Sequence, residues 1–140
     1  MAIDVSAAVQ VARPRDEVAA YMTDPANDPE WIGGIREARL LGDPPIKVGS
    51  QVAREARFLG RKIDYVNEVT ALDSRHLDMR SVVAPFPMRI TYEFEEHDGG
   101  TRVRNHVRGG GSRLMAPIVR RSIRRDLARL REILEGTPTR

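Results

Sequence analysis

Apolar and polar residues alternate with a period of two over several short stretches of the chain. The opening stretch IDVSAAVQVA puts Val5, Ala7, Val9 and Val11 on one side, as a half-buried strand does. Six further stretches follow the same pattern: IREARLL, SQVAREARF, RKIDYVNEVTAL, HLDMRSVV, MRITYEFEE and TRVRNHVRG. Leu59-Gly60 and the segment HDGG are typical of tight hairpin turns. Seven strands, six of them consecutive, predict one antiparallel, meander-like sheet.

Helical patterns occur after the first strand and at the end of the chain. The stretch RPRDEVAAYM predicts a helix, and two prolines leave room for only a turn or two more through Trp31. The last stretch, SRLMAPIVRRSIRRDLARLREILEG, predicts a long helix with Ser112 as N-cap, Gly136 just past its end, and a kink or short turn near Pro117. Its apolar residues share one face: Met115, Val119, Ile123, Leu127, Leu130, Ile133 and Leu134. This order predicts an α+β fold, a seven-stranded curved antiparallel sheet wrapped around the C-terminal helix, with a cavity between them.

Length and composition narrow the class of protein. A chain of 140 residues with 41% hydrophobic and 31% charged residues predicts one globular domain, 1–140. No apolar run approaches the ~20 residues that a membrane span needs, and no secretory signal is visible at the start. The absence of cysteine excludes disulfides and thiolate chemistry and fits a cytoplasmic protein.

Charge is distributed unevenly along the chain. Residues 1–100 hold 12 basic and 17 acidic residues, a net charge of −5, whereas residues 101–140 hold 11 and 3, a net charge of +8. The basic end is compatible with an interaction with nucleic acid or an anionic membrane. The arginines of the last helix also fit an ordinary solvated face, and no aromatic residues alternate with them, so a nucleic-acid partner is not expected. They are Arg120, Arg121, Arg124, Arg125 and Arg131.

The inner face of the predicted sheet is mostly apolar with a few polar positions. Alternation places on it Ile63, Tyr65, Asn67, Val69, Leu77, Met79, Ser81, Met88, Ile90, Tyr92, Phe94, Val103, Asn105 and Val107. Small-molecule pockets have this character, with apolar walls and a few placed polar groups. Each polar residue could equally be a hydrogen-bonded core group.

Asp126 is an exception on the apolar face of the last helix, with Ser122 one turn before it. Burial of a carboxylate there would raise its pKa and suit a general acid or base, or an anchor for a polar ligand end. The alternative is a structural pair with Arg129 or with an arginine of the sheet.

Other chemistry is not indicated. His76, His97 and His106 lack metal-ligand spacing, so no metal is expected. The glycines before Ser112 lack the lysine of a phosphate loop, so they predict a flexible connection. No cofactor is expected.

The chain resembles the START-like or SRPBCC superfamily, in its polyketide cyclase/dehydrase and lipid-transport branch. The segments that carry the resemblance are VARPRDEVAAYMTDP, PEWIGGI, VGSQVAREARFLGRKIDYVNEVTALD, RSVVAPFPMRITYEFEEHDGGTRV and DLARLREILEG, within residues 3–136. The resemblance implies a helix-grip fold with an internal apolar pocket whose mouth is gated by the short helix and loops. Trp31 would then lie on the gate; alternatively, it closes one end of the core.

Three functions follow as hypotheses. The first is binding of a small apolar molecule, such as a lipid or an aromatic polyketide, by a monomer or a homodimer. The expected ligand-binding residues are Trp31, Ile63, Tyr65, Asn67, Met79, Ser81, Ile90, Tyr92, Asn105, Met115, Val119, Ser122 and Asp126. The second is a cyclase or dehydratase in which Asp126, Tyr65 or Tyr92 moves a proton. The third is an interaction protein that uses the basic helix face.

Overall fold

A computed structural model describes residues 2–136, so the predicted domain, 1–140, extends past the described residues at both ends. Seven strands and three α-helices follow the order expected from the sequence. The strands are β1 (Ile3–Val11), β2 (Ile35–Leu41), β3 (Gln51–Phe58), β4 (Arg61–Leu72), β5 (His76–Val83), β6 (Met88–His97) and β7 (Gly100–Gly109). The helices are α1 (Arg15–Met22), α2 (Asp28–Trp31) and α3 (Ala116–Leu134), with 3-10 turns at Pro25–Asn27 and Arg113–Met115.

The strands form one antiparallel sheet in the order β1-β7-β6-β5-β4-β3-β2. The predicted meander is confirmed for β2 to β7, and β1 adds to the sheet as an edge strand by pairing with β7, so that Ile3 lies opposite Gly109. Two hairpins have both central residues at positive φ: Leu59 (52°) and Gly60 (78°), and Asp98 (49°) and Gly99 (76°). Turns of that geometry match the twist of the strands they join, which explains both sequence signals.

The long helix packs along β1 and against α2 with its apolar face inward. Ile123, Leu127 and Leu130 are buried there. Ser112 accepts a hydrogen bond from the backbone N–H of Leu114, so it caps the 3-10 turn, and α3 begins four residues later. Pro117 lies in the first turn of α3, where a missing N–H costs nothing. The expected short turn before the helix is therefore present.

The space between sheet and helix is occupied by side chains. One buried cluster joins the sheet, the N-terminal helices and α3, and its members include Val18, Trp31, Met79, Tyr92, Phe94, Leu127 and Leu130. A smaller cluster of Ile3, Val5 and Ile123 lies under the start of α3. No helix within residues 2–136 is long and apolar enough to cross a bilayer.

Candidate functional site

A buried ion pair links α2 to the inner face of the sheet. Arg54 follows Val52 by two residues on β3, so its side chain points inward, and alternation alone accounts for that position. Its Nε donates to Asp28 Oδ2 at 2.9 Å, and its second terminal nitrogen lies 2.8 Å from the same oxygen. The two side chains are 5% and 1% exposed, which makes this a fully desolvated pair. Met79 places its sulfur 3.9 Å from both terminal nitrogens.

Burial and charge set the protonation of the groups around this pair. Burial raises the pKa of Asp28, and the neighbouring Arg54 opposes that rise. Burial would lower the pKa of Arg54, but Asp28 holds it above its ordinary value. Burial also raises the pKa of Tyr65 and of Tyr92, and Asp28 adds to both shifts. Both phenols therefore remain protonated at neutral pH and can donate hydrogen bonds but not accept a proton.

Trp31 lies beside this polar group and inside the main core. It is 1% exposed, and its ring centroid is 5.7 Å from that of Tyr92 at an interplanar angle of 60°. Trp31 ends α2, which Pro25 and Pro29 keep short. In this structure the indole thus fills the core, which agrees with the interpretation that Trp31 closes one end of the core. We call residues 24–34, which carry Asp28 and Trp31, the covering segment.

Asp126 holds the other side of the covering segment. Its side chain is buried, and Oδ1 accepts a hydrogen bond from the backbone N–H of Gly33 at 3.1 Å. Burial raises its pKa, as the sequence predicted, while the Gly33 bond and then Arg125 oppose the rise. The expected pair with Arg129 is wrong, because Arg129 Nε instead donates to the backbone oxygen of Glu30 at 2.6 Å.

Three buried polar atoms around the inner face have no hydrogen-bond partner within the described residues. They are Nε1 of Trp31, Nδ2 of Asn67 and Oδ1 of Asn105. Asn67 lies opposite Ser81 on β5, and Asn105 lies opposite Tyr92 on β6. An unsatisfied buried polar atom costs about 1–3 kcal/mol, so native structures leave few of them. Two donors and one acceptor are thus available to a bound molecule or to water.

Two open grooves lie on the outer face of the sheet. One, of about 910 Å³, runs over β5 to β7, and the other, of about 310 Å³, runs over β2 to β4. The larger groove has a mixed lining, with Arg102 and Arg104 from β7 facing Glu93 and Glu95 from β6. Charges of both signs alternate there, so neither a single anion nor an apolar molecule is favoured. The inner face remains the better candidate site.

Similarity to known proteins agrees with this geometry. The sequence profile of the family described as polyketide cyclase / dehydrase and lipid transport matches residues 2–135. The chain belongs to this family. A search of curated proteins finds no match.

Several solved structures share the fold of this chain at low sequence identity. TTHA0849 from Thermus thermophilus superposes with a TM-score of 0.81 at 16% identity, over 97% of this chain and 99% of the other. A START superfamily protein from Mycobacterium smegmatis gives 0.74 at 17% identity, over 95% and 94%. DynU16, a protein of the dynemicin biosynthetic locus, gives 0.72 at 20% identity, over 95% of this chain and 47% of the other. These likenesses confirm the helix-grip fold.

The structure of this family member divides the predicted ligand-binding residues into groups. Trp31, Met79, Ile90 and Tyr92 pack in the main cluster, and Tyr65 lies opposite Arg54. Met115 and Val119 belong to the smaller cluster under the start of α3. The remaining predicted residues are Asn67, Asn105 and Asp126, which are buried, and Ile63, Ser81 and Ser122, which are partly buried.

Ser81 has a structural partner, since its hydroxyl accepts a hydrogen bond from the backbone N–H of Met88 at 2.9 Å. Ile63 is partly buried near the β3–β4 hairpin and belongs to neither cluster. Sequence reasoning missed Asp28 and Arg54, which form the most buried charged pair. The available signal was the alternation of β3, which puts Arg54 on the same side as Val52.

Proposed function

We propose that this protein binds one small, mostly apolar molecule carrying at least one hydrogen-bonding group. The molecule would lie between the inner face of the sheet, the covering segment and α3. The three unpartnered polar atoms of Trp31, Asn67 and Asn105 carry the proposal, because a bound molecule would satisfy them on an otherwise apolar face. The family description, which includes lipid transport, supports the same class of ligand.

Entry of such a molecule would require the covering segment to move. Trp31 fills the core in the structure, so its displacement would open space beside Tyr92 and Met79. Trp31 would thereby act as the gate that the family resemblance implies. Apolar contact would supply most of the affinity, at roughly 25 cal/mol per Å² of buried surface. In this function the chain acts as one domain, in the cytoplasm, as a monomer or a homodimer.

Native mass spectrometry of freshly purified protein tests the proposal. We expect an adduct of one small molecule per chain that mild collisional activation releases. Asn67→Leu should lower its occupancy with little loss of stability, because Nδ2 of Asn67 makes no hydrogen bond within the described residues. Gln51→Leu is the matched control, since Gln51 is exposed on β3. An adduct-free protein that shows no thermal shift with fatty acids or aromatic polyketides would contradict ligand binding.

A cyclase- or dehydratase-type activity is the second candidate function. The observation in its favour is Asp126, a buried carboxylate with a raised pKa beside the covering segment. It could serve as a general base, whereas Tyr65 and Tyr92 could only donate hydrogen bonds to a carbonyl oxygen. DynU16, from a biosynthetic locus, has the same fold. Turnover of a linear polyketone that Asp126→Asn abolishes, with ligand binding retained, would establish this activity.

A further inference from the structure

The start of α3 and the turn before it expose apolar and basic side chains together. Leu114 is 83% exposed and Ile118 is 41% exposed, although both belong to an otherwise amphipathic helical region. Ile118, Arg121 and Arg125 follow one another at spacings of three and four residues, which places them along one line of α3, and Leu114 lies in the 3-10 turn just before it. The opposite line, with Val119 and Ile123, packs under β1. The exposed line therefore has no role in the core.

The charges on this surface are all of one sign. No acidic residue occurs between Asp98 and Asp126, and within residues 109–125 the arginines are Arg113, Arg120, Arg121, Arg124 and Arg125. All five side chains are exposed. We call these five arginines with Leu114 and Ile118 the basic surface. It is complementary to an extended negative charge.

A second exposed apolar pair lies on the sheet. Val82 and Val83, at the end of β5, are 38% and 62% exposed. The connection that follows them reaches Gly110, whose N–H donates to the backbone oxygen of Pro87 at 2.9 Å. Gly110 lies three residues before Arg113, where the turn that carries Leu114 begins, so the β5–β6 connection adjoins the segment that leads into this turn.

We propose that the basic surface docks on anionic lipid membranes. Arginines beside exposed leucine and isoleucine match a bilayer interface, where guanidinium groups meet lipid phosphates and aliphatic side chains enter the headgroup region. RNA would match only the arginines. Proteins that bind single-stranded nucleic acid add aromatic side chains for stacking, and this chain has no aromatic residue after Phe94. The proposal is independent of whether the inner face binds a ligand.

Sedimentation with sucrose-loaded vesicles tests this surface. The protein should bind vesicles of phosphatidylcholine with phosphatidylglycerol, not vesicles of phosphatidylcholine alone, and added salt should weaken the binding. The double variant Arg121→Gln/Arg125→Gln should bind these vesicles about thirtyfold more weakly, because each basic residue near an anionic surface raises the affinity about fivefold. Arg36→Gln/Arg61→Gln makes the same charge change at exposed positions on β2 and β4 and should bind like the original protein.

The variant Leu114→Ser tests the aliphatic part of the proposal. Its vesicle binding should fall about tenfold with all charges unchanged, because less apolar surface enters the interface. Equal loss of binding in the control variant, or no effect of Leu114→Ser, would overturn the proposal. Binding to an RNA oligonucleotide without binding to anionic vesicles would also overturn it. Occupancy of the inner face, measured by native mass spectrometry, should be unchanged in every one of these variants.

Discussion

The covering segment is attached differently to the sheet and to α3. Toward the sheet, Asp28 is paired with Arg54 in a fully buried position, and the N–H of Arg57 donates to the backbone oxygen of Gly34 at 2.7 Å. Toward the helix, the attachments are the bond from Gly33 to Asp126 and a bond from the exposed Arg129. A fully buried ion pair is costly to separate, whereas on the helix side the Asp126 bond is partly buried and the exposed Arg129 bond exchanges readily with water. We therefore expect the covering segment to open on its helix side.

Loss of the ion pair between the covering segment and the sheet should cause the largest reduction in the stability of the protein. Asp28→Ala leaves the Arg54 guanidinium buried without a counter-charge, and the free energy of unfolding should fall by about 3–5 kcal/mol. Replacing both partners, as in Asp28→Leu/Arg54→Met, should recover most of this loss, since an apolar pair of similar volume needs no counter-charge. Urea denaturation of the two variants measures both values. A loss below about 1 kcal/mol in the single variant would show that Arg54 reaches solvent without cost.

Hydrogen exchange can establish which side of the covering segment opens first. The Gly33 amide, bonded to Asp126, should exchange at least about tenfold faster than the Arg57 amide, bonded to Gly34, after correction for intrinsic rates. Exchange followed by NMR in native conditions provides this comparison. Equal protection at the two amides would mean that the covering segment opens as one unit. Opening on the helix side first would then be wrong.

The smallest expected effect is the change in protein stability with pH that the titration of Asp126 produces. Its pKa in the folded protein lies above the ordinary value of 3.8, chiefly through burial, so ionisation is harder in the folded state than in the unfolded state. The stability contributed by this group is therefore present below the ordinary pKa and falls as pH rises through the folded pKa. Asp126→Asn does not titrate, so its stability relative to the original protein should increase from pH 4 to pH 7. Thermal unfolding across that range measures the difference, and a decrease with pH would show that the carboxylate is stabilised when ionised.

The sequence was sufficient for the elements of the fold but not for the attachments of the covering segment. Alternation and the two positive-φ turns are local signals, and they predicted β4 at Arg61–Leu72 as the structure has it. The apolar face of α3 was likewise predictable, including the burial of Asp126 on it. Local signals therefore determined each strand and helix separately.

Long-range pairs required knowledge of how these elements meet. Asp28 and Arg54 are 26 residues apart, and Asp28 precedes a proline in a short helix, where an acidic residue is ordinary. The partner of Asp126 is a backbone N–H of Gly33, which has no side-chain signal at all. That Nδ2 of Asn67 has no hydrogen-bond partner within the described residues also becomes visible only when the surrounding chain is in place. The candidate site therefore depends on tertiary contacts.

Trp31 gives the protein a built-in optical reporter. It is the sole tryptophan in the chain, so the long-wavelength emission of the protein comes from one position in the covering segment. A buried indole emits at shorter wavelength than a hydrated one, and Tyr92, at 5.7 Å between ring centroids, is close enough to pass excitation energy to it. Lifting of the covering segment would shift the emission to the red and reduce that transfer. The opening could thus be followed in real time on unlabelled protein.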